Sequence, residues 1–173
     1  MPAGTACPTV SHSQYWIQDD LLETDPSMYA GFNGLISAQG SAAIVLTGTS
    51  FGQIRLTAES RLSAPADVDL APWDDVVEVS LVFENGAARI LAGTGTVVPG
   101  LPLLSAAGQG PYRVRVHARG RDRAAAATRP AGCDDPVEEH LVIAWPAAQA
   151  AEARYKLTDA YGRSVRARAP AGP

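Results

Sequence analysis

Three histidines, His12, His117 and His140, are the side chains of this sequence best suited to hold a metal or carry a proton, because a neutral imidazole ligates metals and titrates near neutral pH. They show none of the close paired spacing of zinc motifs, so a metal site would need all three to converge from separate strands. Ser11 and Ser13 flank His12, yet neither sits in a Gly-x-Ser-x-Gly elbow, and no reactive-cysteine signature surrounds Cys7 or Cys133. The glycine runs GTSFG (48–52) and GTGTVVPG (93–100) do not open a helix after a buried parallel strand, and no Lys follows at P-loop spacing, so they read as turns. No catalytic set, metal or cofactor is expected.

Charge is the other chemistry on offer. Asp19, Asp20, Glu23 and Asp25 crowd one loop, and Asp67, Asp69, Asp74 and Asp75 another. Such groups read as solvated loop charge, as a calcium site, for which the spacing fits no EF-hand, or as a negative patch that docks on a basic partner. Trp73 lies inside the second cluster beside a Pro, where an aromatic rimmed by charge can anchor an interface, whereas Trp16 and Trp145 are expected to pack in the core. Those eight acids and Trp73 are the candidate partner-binding residues.

The stretch YRVRVHARG (112–120) places Arg113, Arg115, His117 and Arg119 on one side of a strand and Tyr112, Val114, Val116 and Ala118 on the other. The second row is expected to face the core and the first to face water, paired across the sheet with acids such as Glu59, Glu78 or Glu139 at roughly 0.2–1 kcal/mol each. A nucleic-acid track would interleave aromatics on the basic face, and none is there.

The elements that would position these groups are short strands. VSHSQYWI (10–17) reads as one strand, GLISAQGSAAIVLTG (34–48) as two about Gly40, and QIRLTAESRL (53–62) alternates with Ile54, Leu56, Ala58 and Leu62 inward. DVVEVSLVFENGAARILAG (75–93) gives two apolar runs joined by Asn85-Gly86, which predicts a tight hairpin. TVVPGLPLLS (96–105) carries two Pro and belongs at a sheet edge or in a crossing connection. YRVRVHARG and EEHLVIAW (138–145) complete a set of eight or nine strands, separated by a loop over 121–137. With no amphipathic helices between strands, the fold class expected is all-β, a two-layer antiparallel β-sandwich with a short helical or disordered C-terminal tail.

The 173 residues suffice for one domain that buries roughly 70% of its extended-chain surface. Boundaries are expected at an N-terminal arm (1–10), the sandwich (11–146) and a tail (147–173). Residues 1–146 hold sixteen acids against nine Arg, and the tail two acids against five bases, so an acidic body carries a basic tail. A negative body repels phosphate backbones and suits a protein partner with a basic surface rather than nucleic acid or membrane. The N-terminal MPAGTACPTV lacks the basic and apolar regions of a secretion signal, which points to the cytoplasm. In that reducing compartment Cys7 and Cys133 are expected to be free thiols.

The succession SHSQYWIQ, FNGLISAQGSAAIVLTG, WDDVVEVSLVFENGAARI, GPYRVRVHARGRD and EEHLVIAWPA resembles, over about residues 11–146, the competence protein J family of DNA-entry nuclease inhibitors, together with a wider set of actinobacterial relatives. The loop 121–137 and the tail after Pro146 depart from the pattern. The resemblance implies a non-enzymatic β-sandwich that blocks a nuclease or toxin, as an inhibitor or immunity protein does. The acidic loops 19–25 and 67–75 would make the contact. The alternatives are an assembly subunit that oligomerises through strand edges and tail, and a jelly-roll protein that binds a metal or ligand.

Overall fold

The computed structural model describes residues 1–19, 33–130 and 132–168. The first ten strands are β1 (Ala3–Ala6), β2 (Thr9–Ser11), β3 (Gln14–Gln18), β4 (Ile36–Gln39), β5 (Ala42–Leu46), β6 (Phe51–Gln53), β7 (Arg55–Ser60), β8 (Asp75–Phe83), β9 (Arg89–Ala92) and β10 (Thr96–Val97). There follow β11 (Gly110–Arg119), helix α1 (Arg121–Ala126), β12 (Glu139–Pro146), β13 (Ala153–Leu157) and helix α2 (Ala160–Arg168). One sheet has the order β1-β7-β12-β11-β8-β13, and the other β10-β9-β3-β2-β6 with β5 added on β3 and β4 on β5. Ladders such as β11–β12, β11–β8 and β3–β5 are antiparallel, and β7–β12 is parallel. The expected all-β sandwich is what forms.

Alternation explains the core. Tyr112, Val114, Val116 and Ala118 of β11 are buried with Val77, Val79 and Leu81 of β8 and Val142 and Ala144 of β12, and Tyr15, Ile17, Val45 and Ile90 of the second sheet complete the cluster. Leu56 and Ala58 of β7 are fully buried as the alternation predicts, but Leu62 lies past the end of the strand and is 75% exposed.

Two local expectations are corrected. The segment 10–17 is not one strand: His12 and Ser13 adopt positive φ (55° and 58°) and turn the chain from β2 into β3. Asn85-Gly86 does turn, with Gly86 at φ 65°, but β8 and β9 do not form a hairpin. Strand β8 pairs with β11 and β13 in one sheet while β9 pairs with β3 and β10 in the other. The turn is a corner between layers, held by buried Asp19, whose carboxylate accepts the Asn85 and Ala87 amides.

Three of the four basic side chains of β11 are not solvated, and Arg119 stays partly exposed. Arg113 is 5% exposed, Arg115 4% and His117 2%, because residues after Pro146 fold back across the two arginines and the Trp73 ring covers His117. Arg113 Nε and Arg115 Nε each donate to Glu78 at 2.8 Å, which the register places opposite Arg115. Arg113 also donates to Ser80 Oγ and the Ala150 carbonyl. Arg115 stacks between Trp145 and Tyr155, 5.0 and 5.1 Å from the ring centres. Of the expected acidic partners, Glu78 and Glu139 pair with the row, whereas Glu59 binds Arg61. The outer face of this sheet is therefore a second packed layer, and β13 within the tail forms its edge by pairing with β8.

The cysteines are not free either. Cys7 and Cys133 form a disulfide with Cα atoms 5.7 Å apart, joining the β1–β2 connection to the loop before β12. Residues 3–6, at the N-terminus, supply β1, which pairs with β7 from Ala3–Glu59 to Ala6–Leu56. Among the described residues no helix is long and apolar enough to cross a membrane.

Candidate functional site

Among the described residues a dense group of ionisable side chains is interior. Gly120, at φ 80°, ends β11, and Arg121 beyond it is fully buried. Arg121 Nε and Nη2 donate to Asp159 at 2.6 and 3.0 Å, Nη2 also donates to Asp75 at 2.7 Å, and Nη1 donates to the Gly34 carbonyl at 2.7 Å. Gly48 and Gly162 admit this group, since a Cβ on either would lie 2.1 Å from the Arg121 carbonyl oxygen or 2.7 Å from Nη2. Asp122 accepts the Ala160 and Tyr161 amides and so starts α2, while the Tyr161 ring covers the guanidinium at 5.4 Å. Burial pulls the Asp75 carboxyl upward, against the Asp159 amide and Arg121.

Beside this cluster lies a second one. Glu138, fully buried, accepts the Gly48 amide, the Thr49 amide and hydroxyl, and His140 Nε2–H at 2.8 Å. His140 Nδ1 is 3.2 Å from the Tyr15 hydroxyl. Burial would raise the Glu138 carboxyl, but the His140 and Thr49 hydrogen bonds outweigh it and hold it below the usual range. Burial and the neighbouring Glu138 keep Tyr15 protonated. These residues satisfy one another and tie loop 47–49 and the tail to the sandwich, which is structural work.

The three histidines do not converge. His140 is interior, His117 lies under Trp73 on the outer face, and His12 is exposed in the β2–β3 turn. Among the described residues no group of His, Cys, Asp or Glu is placed to hold a metal ion. His117 illustrates what burial alone does: its pKa falls to about 4, through desolvation first and Arg115 second, although the Leu141 carbonyl, Asp69 and Glu59 oppose the shift. The ring stays neutral in the fold while the unfolded chain takes up a proton below pH 6.5. Stability from this group is therefore complete above pH 6.5 and is lost as pH falls toward 4. Denaturant unfolding should show wild type losing up to about 3 kcal/mol more than His117→Gln between pH 7 and 4. Parallel pH profiles for the two proteins would contradict it.

The nine candidate partner-binding residues separate by burial. Asp75 is consumed by Arg121, and Asp19 by the corner turn, so neither carboxylate is available to a partner. Asp20, Glu23 and Asp25 lie outside the described residues. Asp67 and Asp69 are exposed on the loop between β7 and β8, with Asp69 Oδ1 accepting the Ala71 amide, and Asp74 is half-buried and accepts the Gly120 amide at 2.8 Å. Trp73 is half-buried, its ring 5.4 Å from both the His117 ring and the Arg119 guanidinium. Lys156 was not singled out by the sequence, although it is the one Lys among fourteen basic residues. Its Nζ donates to the Leu70 and Trp73 carbonyls and pins the acidic loop to β13.

No protein-family model matches the sequence. No curated protein matches it either. Among solved structures, "Crocagin biosynthetic gene J" aligns over 84% of this chain and 97% of its own, at 15% identity and a TM-score of 0.53. ComJ from Bacillus subtilis, an inhibitor of the DNA-degrading activity of NucA, aligns over 83% and 95%, at 11% identity and a TM-score of 0.48. ComJ bears the name of the family that the order of sequence segments resembles. The protein is a two-sheet β-sandwich that shares its fold with Crocagin biosynthetic gene J.

Proposed function

We propose that the protein is a non-enzymatic binding protein that occludes a nuclease or toxin, with the loop between β7 and β8 as its contact surface. The observation that carries this reading is the pairing of exposed Asp67 and Asp69 with Trp73 on a loop already fixed by Lys156 and Asp74. A nuclease presents a basic cleft to phosphates, and a preorganised acidic loop competes for it without ordering on contact. The acidic body and the resemblance of the sequence to the competence protein J family support the same reading. Assembly through the tail side chains is less favoured, because Tyr155 is committed to Arg115 and Tyr161 to Arg121 of the same chain. A cytoplasmic location is the part of the proposal that the Cys7–Cys133 bond opposes, since reducing compartments keep most thiols open, and thiol labelling that finds the bond closed in cells would count against it.

The functional test titrates the protein into a panel of purified basic nucleases and nuclease toxins cutting a fluorescent DNA. Stoichiometric loss of cleavage is expected with the cognate enzyme. Asp67→Lys/Asp69→Lys should weaken inhibition by about tenfold or more, and so should raising salt from about 0.05 to about 0.3 M. A panel in which no enzyme is inhibited, or inhibition indifferent to both changes, would defeat the proposal.

A further inference from the structure

The second sheet is split. Strand β3 pairs with β9 only from Trp16 to Gln18, and with β2 only at Ser11–Gln14, so the β2–β6 ribbon and the β9–β10 ribbon diverge from it. Between the ribbons lies a groove of about 540 Å³, walled by Cys7, Pro8 and Thr9 on one side, Val97 and Pro99 on the other, and Phe51 at the rim. That volume is in the range of small-molecule sites, roughly 300–1,000 Å³.

Three features say what would fill it. None of the described lining residues is ionisable, in a chain with thirty-two charged side chains (18 acidic and 14 basic), so nothing in these walls would compensate the charge of an ionic ligand. Phe51 is 64% exposed and Val97 36%, large apolar side chains facing the opening rather than the core. The walls are also fixed before any ligand arrives. Ser11 Oγ donates to the Gly93 carbonyl across the split, Gly93 (φ 60°) and Gly95 (φ 87°) make the β9–β10 turn, and the disulfide holds Cys7. A rigid, uncharged, apolar groove binds without the ordering cost that a mobile surface carries.

We infer that this groove is a binding site for a small, neutral, largely apolar molecule, whose ring or chain lies against Phe51 and Val97. The site is remote in sequence from the acidic loop and makes no use of Asp67, Asp69 or Trp73, so it stands or falls independently of nuclease inhibition.

The probe is N-phenyl-1-naphthylamine, a neutral dye whose emission rises in apolar surroundings. Saturable binding to one site is expected, with amide shifts in Thr94–Val98 by NMR. Phe51→Ser should weaken binding about tenfold, and Val97→Asp at least as much. Both side chains are exposed, and an unchanged melting temperature confirms that the variants fold. Leu62→Ser, which removes a more exposed apolar side chain elsewhere, and Asp67→Lys/Asp69→Lys should leave binding unchanged. The sulfonated analogue 8-anilinonaphthalene-1-sulfonate should bind about tenfold more weakly than the neutral dye. Non-saturable uptake, equal affinity in Phe51→Ser and Val97→Asp, preference for the sulfonate, or a dimer in solution that Phe51→Ser dissociates would each overturn the assignment. The last result would make the groove a contact between copies instead.

Discussion

Replacing Arg121 with methionine is expected to lower the free energy of unfolding at pH 7 by about 3–5 kcal/mol, the cost of leaving buried charge without its partner. The loss is large because two buried carboxylates share one buried guanidinium, and the next cation, Arg166 Nη1, stands farther off, 4.0 Å from Asp75. Asp75 and Asp159 are almost completely buried, both receive hydrogen bonds from Arg121, and each raises the electrostatic cost of the other once the cation is gone. Methionine fills much of the space but donates nothing to Gly34 or to either acid. The Asp75 carboxyl, already pushed upward by burial, then rises further, so the variant regains ground as pH falls. Urea unfolding followed by circular dichroism should therefore show a deficit that narrows between pH 7 and 5. Arg121→Lys should fall between wild type and methionine, since it retains the charge but not the fork that spans two acids. Amides of α2 should exchange faster in both variants, because Asp159, Gly162 and Tyr161 are held through this group. A deficit under about 1 kcal/mol, or one that does not change with pH, would mean the pairs do not carry the load assigned to them.

Arg121 also marks where the sequence stops being legible. Strand periodicity tells which residues share a face, and it placed Val114, Val116, Leu56 and Ala58 in the core correctly because a slip of one residue would turn every apolar group outward. It says nothing about what covers the opposite face. The same alternation that put Arg113, Arg115 and His117 together left them looking solvated, and it takes the return of residues 146–157, with Tyr155 against Arg115, and Trp73 over His117 to bury them. Aromatics were the available signal: Trp73, Trp145 and Tyr155 are more than a wetted face needs. Asn85-Gly86 fails for a related reason. Turn chemistry specifies that the chain reverses direction locally, while the sheet each arm joins depends on distant partners, here β11 for β8 and β3 for β9. Of the acids, Asp67 and Asp69 remain accessible, but Asp75 looked no different in sequence, because its partners are 46 and 84 residues away. Loop position alone does not reveal whether a carboxylate is solvated or committed.

Reduction of Cys7–Cys133, or replacement of either cysteine by serine, is expected to cost about 3–5 kcal/mol and to lower the melting temperature by about 10 °C. The effect arises in the unfolded chain: the cysteines are 126 residues apart, so the bond closes most of the sequence into one loop and removes a large share of the freedom that unfolding would otherwise recover. Native contacts add a local effect. The loop before β12 is held to β6 at the Cys133 amide, which donates to Gln53 Oε1, and where Pro130 packs near Gly52. With the bond open, endoproteinase Asp-N should cut before exposed Asp134 several-fold faster under native conditions, well before global unfolding. Cys7→Ser, Cys133→Ser and the double variant should coincide in stability, since any one change removes the whole cross-link. Single-variant losses that add in the double would show that the two thiols act separately, and equal melting temperatures with and without dithiothreitol would show that the loop is held by its other contacts. If the variants coincide, the bond shapes the groove as well as the stability, and reduced protein should bind the neutral dye more weakly because the Cys7 wall is no longer anchored.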